Sequence, residues 1–236
     1  MALHIVERPS PNHDARAAAI DMLVLHYTGM KTADEALARL TDPSAKVSAH
    51  YTVDTAGRVY RHVPEERRAW HAGASFWAGR TALNDCSIGI ELVNPGHEFG
   101  YIPFTDDQIA SLIVLAQGIV ARHAIPAARV LAHSDVAPAR KTDPGELFPW
   151  PRLAENGIGV WPSPLPRGGA LSSSEARQGE GVVAADLARF GYGVPPEVDV
   201  PLEAVVTAFQ RHFRPSCIDG VADSECAAIL ESLLAT

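Results

Sequence analysis

MLVLHY, residues 22–27, is an apolar run that closes on a histidine and a tyrosine ahead of Thr28 and Gly29. The run is too short for an ordinary helix and apolar at every position up to His26, the pattern of a central strand covered on both faces. Read this way, the strand ends at His26 and places an imidazole at the carboxyl edge of a sheet.

Outward from this strand the pattern alternates between helix and strand. Thr32 and Glu35 form a capping box ahead of Ala36, Leu37 and Leu40, predicting a short helix that Pro43 closes. Tyr51–Asp54 and Arg58–Val63 predict a hairpin turning through Thr55, Ala56 and Gly57. In SIGIELV (87–93) Ile88, Ile90 and Leu92 alternate with Ser87, Gly89 and Glu91, so a strand puts a glutamate and a bare glycine on one face. Thr105 and Gln108 cap a long amphipathic helix with Ile109, Leu112, Ile113, Ala116, Ile119 and Val120 on its apolar side, stopped by Pro126. Val130–Ala132 predicts a second short strand, ending at His133. The expected fold class is α/β (α+β): a mixed central sheet flanked by helices.

Residues 157–174 (GIGVWPSPLPRGGALSSS) are rich in Gly, Pro and Ser and show no periodicity, so a linker is expected there. It divides the chain into a domain at 1–156 and a small all-α module at 175–236. In the module, Ser172 and Glu175 cap a first helix that Gly191 ends, Pro201 opens a second, and Asp223 precedes a third. About 60 residues bury little core alone, so the module is expected to lean on the first domain.

Composition narrows the function. With 28 Asp+Glu against 20 Lys+Arg the formal net charge is -8, and no basic run is present to track a phosphate backbone, so nucleic acid is not an expected partner. The cysteines, Cys86, Cys217 and Cys226, are odd in number and widely spaced, which suits neither a disulfide framework nor a cysteine-rich metal site. Met1–Arg16 carries charges and prolines where a leader needs an apolar core, and no apolar stretch reaches the roughly 18 residues of a membrane span. The expected location is the cytoplasm, with the periplasm or outer membrane as the alternative for a chain whose leader has been removed. A monomer is the favoured state.

His26 and His133 stand apart from the other histidines because each ends an apolar strand, where neighbouring strands bring side chains to one point. Ten residues after His133 lies Asp143, in a turn (RKTDPG, 140–145) set by its proline and glycine. Two imidazoles and a carboxylate leave the fourth position of a tetrahedral zinc open, as catalytic sites do. A second metal reading stays open: His133-Ser134-Asp135 is the H-x-D half of a two-histidine, one-carboxylate iron site, with His212 as the only histidine further along.

The segments LVLHYT (23–28), VSAHYTVDTAGRVYRHV (47–63), AWHAGASFWAGRTALNDCSIGIELVNPG (69–96) and VLAHSDVAPARKTDPGELFPW (130–150) resemble, in order, the type 2 N-acetylmuramoyl-L-alanine amidases, the zinc enzymes of AmpD and AmiD type. The resemblance implies a fold shared with T7 lysozyme and peptidoglycan recognition proteins. It implies hydrolysis of the amide between N-acetylmuramoyl, or its 1,6-anhydro form, and L-alanine, with peptidoglycan fragments as partners in wall recycling or remodelling. It assigns zinc to His26, His133 and Asp143, and Glu91 and Lys141 as the catalytic pair. Lys141 precedes Asp143 by two residues and so points to the same side of an extended segment; a buried glutamate without a task is costly.

Substrate contacts are expected from Trp70, His71, Ala72 and Asn84, with Trp70 equally readable as core, and from Tyr51, which with His50 reads as support or packing. Residues 204–234 resemble small three-helix peptidoglycan-binding domains, giving wall attachment or a packed scaffold as the module's role. The other function class is a muropeptide-recognition protein that binds without cleaving. The retained carboxylates and Lys141 speak for the enzyme.

Overall fold

The structure, a computed structural model, describes residues 3–162 and 173–235. Its strands are β1 (Ile5–Glu7), β2 (His13–Ala15), β3 (Met22–Tyr27), β4 (Tyr51–Val53), β5 (Val59–Arg61), β6 (Arg67–Ala69), β7 (Ser87–Leu92) and β8 (Val130–Ala132). Its helices are α1 (Ala33–Thr41), α2 (Gly96–Phe99), α3 (Asp106–His123), α4 (His133–Val136), α5 (Trp150–Glu155), α6 (Ser173–Phe190), α7 (Leu202–Phe213) and α8 (Ser224–Leu234). The main sheet runs β1-β5-β4-β7-β3-β8, parallel except for the β4–β5 hairpin, while β2 and β6 form a separate antiparallel ribbon. A mixed sheet between helices is therefore what the periodicities predicted.

The elements follow from local chemistry. Thr32 accepts the Glu35 N–H at the start of α1, and Thr105 accepts that of Gln108 at the start of α3, so both expected caps form. Helix α3 ends at Ala124, in the left-handed region at φ 50°, two residues before Pro126.

Alternation along β3 divides two cores. Leu23 and Leu25 join Ile88, Ile90 and Leu92 of β7 beneath Ile109, Leu112, Ala116 and Ile119 of α3. Met22 and Val24, with Leu131 of β8, face the other way and meet Val183 and Leu187 of α6 and Val205, Val206 and Phe209 of α7. The C-terminal helices thus complete a core that the sheet begins, which removes the need for so small a unit to bury enough apolar surface by itself.

The expected linker at 157–174 and the first-helix cap at Ser172 and Glu175 fall largely outside the described residues. Of the described part, 157–162 is anchored, with Ile158 fully buried in the α3-side core and Trp161 packed against both cores, and 173–174 already belong to α6, so that helix begins inside the expected linker.

Parallel pairing of β3 with both β7 and β8 brings the carboxyl ends of three strands together. That is where parallel sheets place ligands.

Candidate metal centre

His26 lies next to last in β3, on the face of Met22 and Val24, and stands directly opposite Glu91 of β7. His133 follows β8 as the first residue of α4. Asp143 is delivered by the turn after α4, held there by a bond from the Ser134 N–H to the Asp143 carbonyl (2.9 Å). Gly145, at φ 87°, lies so close to Tyr101 that an added Cβ would come within 2.4 Å of its hydroxyl, so this turn needs glycine.

The three side chains converge. His26 Nδ1 is 2.9 Å from His133 Nδ1, and these atoms are 3.1 and 3.0 Å from Asp143 Oδ2. Donors bound to one tetrahedral zinc at about 2.0–2.1 Å lie about 3.3 Å apart, close to these separations. His133 Nε2 donates to the Ala72 carbonyl at 3.1 Å, which leaves the Nδ1 of the neutral ring as a lone pair facing the other two atoms. All three residues are buried, and among the described residues this is the group of histidine, cysteine and carboxylate side chains that could hold a metal.

The electrostatics suit a cation. Burial, then the neighbouring His133, pushes the His26 imidazole down to about 4 against the pull of Asp143. Burial alone raises the Asp143 carboxyl, but the flanking His133 and His26 overcome it and hold the group well below the usual carboxylate range. Burial keeps His71 neutral, with its imidazole well below its ordinary value.

A groove of about 500 Å³ opens over this cluster, lined by Trp70, His71, Glu91, His133, Lys141 and Asp143 among others. Glu91 Oε2 is enclosed there without a hydrogen-bond partner among the described residues. Burial, reinforced by Asp143 and offset in part by Lys141, raises the Glu91 carboxyl well above its ordinary value. A carboxylate held this way is a strong proton acceptor waiting for a donor in the groove.

The remaining expected contacts divide. Trp70 and His71 line the groove. Ala72 is fully buried, and its carbonyl, rather than its side chain, serves the site. Asn84 Oδ1 accepts the N–H groups of His71 and Ala72 (3.1 and 2.8 Å), so its amide shapes the loop instead of facing the groove. Tyr51 is not brought to the site: it joins the α3-side core and its hydroxyl donates to Glu65. The cause is strand alternation, which puts Tyr51 and Thr52 of β4 on opposite faces. His50 accepts the Gly89 N–H through Nδ1 (3.0 Å), a packing and support role.

The iron alternative does not assemble around His133. His212 Nδ1 meets Asp135 Oδ2 at 2.7 Å, the Tyr192 hydroxyl donates to Asp135 Oδ1 at 2.7 Å, and His133 turns away to His26 and Asp143. Asp135 Oδ2 also accepts the Ala132 N–H, capping the helix that begins with His133. Tyr192 carries no local signal in the sequence, and His212 enters there only as the histidine an iron site would need; the two lie 57 and 77 residues from Asp135, with no pattern that marks these bonds.

Comparison with known proteins agrees with this geometry. A family model described as N-acetylmuramoyl-L-alanine amidase matches residues 16–146. AmiD of Escherichia coli K12, an N-acetylmuramoyl-L-alanine amidase, is 43% identical over 252 aligned residues, covering 98% of this chain and 90% of that protein. The 1,6-anhydro-N-acetylmuramyl-L-alanine amidase AmpD of Enterobacter cloacae is 36% identical, over 61% of this chain and 86% of its own. The solved complex of E. coli AmiD with the substrate anhydro-N-acetylmuramic acid-L-Ala-D-gamma-Glu-L-Lys superposes with a TM-score of 0.80 at 42% identity, over 94% of this chain and 92% of that one. On the family match and a relative aligned along nearly its whole length, the chain belongs to the N-acetylmuramoyl-L-alanine amidase family.

Proposed function

We propose that this chain is a zinc amidase that hydrolyses the bond between the lactyl carbonyl of N-acetylmuramic acid, or its 1,6-anhydro form, and L-alanine. The observation that carries this reading is the convergence of His26 Nδ1, His133 Nδ1 and Asp143 Oδ2 beneath a groove that also holds a Glu91 oxygen with no hydrogen-bond partner among the described residues. The substrate class rests on the muropeptide bound by the similar AmiD.

His26, His133 and Asp143 would hold the ion, and the donor set of two neutral imidazoles and a carboxylate suits zinc with one position left open. Bound there, zinc supplies Lewis acidity toward the carbonyl and a lowered pKa for water. Glu91 takes the proton of the attacking water and returns it to the departing alanine nitrogen, a transfer its raised proton affinity favours. Lys141, in the same groove, holds the negative charge that develops on the carbonyl oxygen. Trp70 offers a flat apolar wall to the sugar or peptide.

Incubation of the zinc-loaded protein with an anhydro-muramyl peptide and detection of a new free alanine amine tests the reaction. A protein that binds the muropeptide and releases no amine is a recognition protein instead. Among the described residues no helix is long and apolar enough to cross a membrane. The setting we propose is recycling of soluble fragments in the cytoplasm. Recovery of the native protein from periplasm or outer membrane overturns that assignment without touching the chemistry.

A further inference from the structure

The hydrogen bonds around His71 can be assigned a direction from one end. Ser87 Oγ lies 2.6 Å from the Leu83 carbonyl oxygen, which can only accept, so the hydroxyl proton is committed to Leu83. Toward His71 Nε2, 3.2 Å away, Ser87 Oγ can therefore only accept, and the proton sits on Nε2. A neutral imidazole has one such proton, so His71 Nδ1 is an acceptor. It lies 3.0 Å from His26 Nε2, which must donate to it. His26 Nδ1 is then left as a lone pair, at the point where His133 Nδ1 and Asp143 Oδ2 converge.

We infer that His71 is a positioning residue: with Ser87 behind it, it fixes the tautomer and orientation of His26 so that Nδ1 is presented to the metal. The inference rests on the metal reading of His26, His133 and Asp143 given above. Although His71 lines the groove, both its nitrogens are engaged inside the protein, so it has none to offer a substrate.

The surroundings are built for this ring. A Cβ on Gly89 would come within 2.5 Å of His71 Cγ and 2.6 Å of Nδ1, so the bare glycine on the Ser87-Gly89-Glu91 face is the space the imidazole occupies. The neighbouring residue does the same for the other ligand, because the Ala72 carbonyl accepts from His133 Nε2. Asn84 Oδ1 holds the N–H groups of both residues, so one short loop, fixed by one amide, orients both imidazoles.

The test is the zinc dissociation constant, measured by competition with a chromogenic chelator, alongside the melting temperature of the metal-free protein. His71→Asn keeps an acceptor at the Nδ1 position and should bind zinc within about threefold of the unsubstituted protein, whereas His71→Phe and His71→Gln should lose about 10–100-fold. Ser87→Ala, which leaves His71 free to reverse its tautomer, should lose affinity by about tenfold or less. A packing role predicts the opposite order, with the space-filling phenylalanine binding zinc well and asparagine poorly, and that order overturns the inference. So does equal affinity in all variants when their metal-free forms melt alike. If the unsubstituted protein itself fails to bind zinc, the metal reading falls and the positioning role with it.

Discussion

Nδ1 of His26 and Nδ1 of His133 lie 2.9 Å apart, and each is about as far from one oxygen of Asp143. With both outer nitrogens donating elsewhere, three electron-rich atoms face one another. Such a cluster is relieved by a cation between them.

Metal binding should therefore couple to stability. Zinc in thousandfold excess over its dissociation constant stabilises a folded state by about 4 kcal/mol, which in a chain of this size is roughly 8–16 °C in melting temperature. Calorimetric scans with zinc and with chelator measure it. Coincident melting curves would show that the cluster holds no ion.

Glu91→Gln should lower kcat by about 10²–10⁴-fold with zinc still bound. The same change should stabilise the metal-free protein by roughly 0.5–2 kcal/mol. The sign follows from the raised carboxyl: the folded state holds the proton more tightly than the unfolded state, so the glutamate costs stability once pH rises above its ordinary value of 4.5. Urea unfolding at pH 4 and pH 8 reads the difference, which should be present only at the higher pH.

Gly89→Ala should expel the His71 ring, since the new methyl would overlap it at 2.5 Å. Strand β7 tolerates alanine conformationally, so the loss should appear in zinc affinity, by about 10–100-fold, more than in folding. Retained affinity would mean that the ring can move without consequence for His26.

Asp135 is enclosed with His212, Tyr192 and the Ala132 N–H as partners. His212 is stacked between Trp150 and Phe213, so His212→Phe preserves the packing and removes only the bond. Leaving that carboxylate short of a partner should cost about 2–4 kcal/mol. Tyr192→Phe should cost less, and the pair should not add. Denaturant unfolding of the three variants measures this, with additivity as the result that denies a shared network.

Acid should weaken the fold in two stages. His62 is buried, which lowers its imidazole to about 4, so the stability it carries is complete above about 6.5 and lost as pH falls through about 4. Burial opposes the shift at Glu65, but bonds from Arg122, His123 and Tyr51 hold it down at about 2, so its contribution is lost from about 4.5 downward. The His62 window corresponds to a contribution on the order of 3 kcal/mol, and that of the half-buried Glu65 is smaller because solvent screens its partners. Replacing His62 with glutamine should reduce the slope of the stability profile between pH 6.5 and pH 4 by its own share, leaving the share of the other buried imidazoles, His26 and His50, and the loss below pH 4.5.

The sequence by itself determined the elements and their order. Apolar runs and alternation define β3, β7 and β8, and capping threonines start α1 and α3, because these signals act between residues a few positions apart. It also placed His26 and His133 at strand ends and Glu91 and Gly89 on one face. What the glycine was for could not be read, since its reason is a ring belonging to His71, 18 positions back. The direction in which Tyr51 faces, the carbonyl of Ala72 that serves His133, the amide of Asn84 that sets the loop, and the bond of His212 and Tyr192 to Asp135 were decided by tertiary structure. Each depends on which strand lies beside which, and on where the protons of buried polar groups can go once water is excluded.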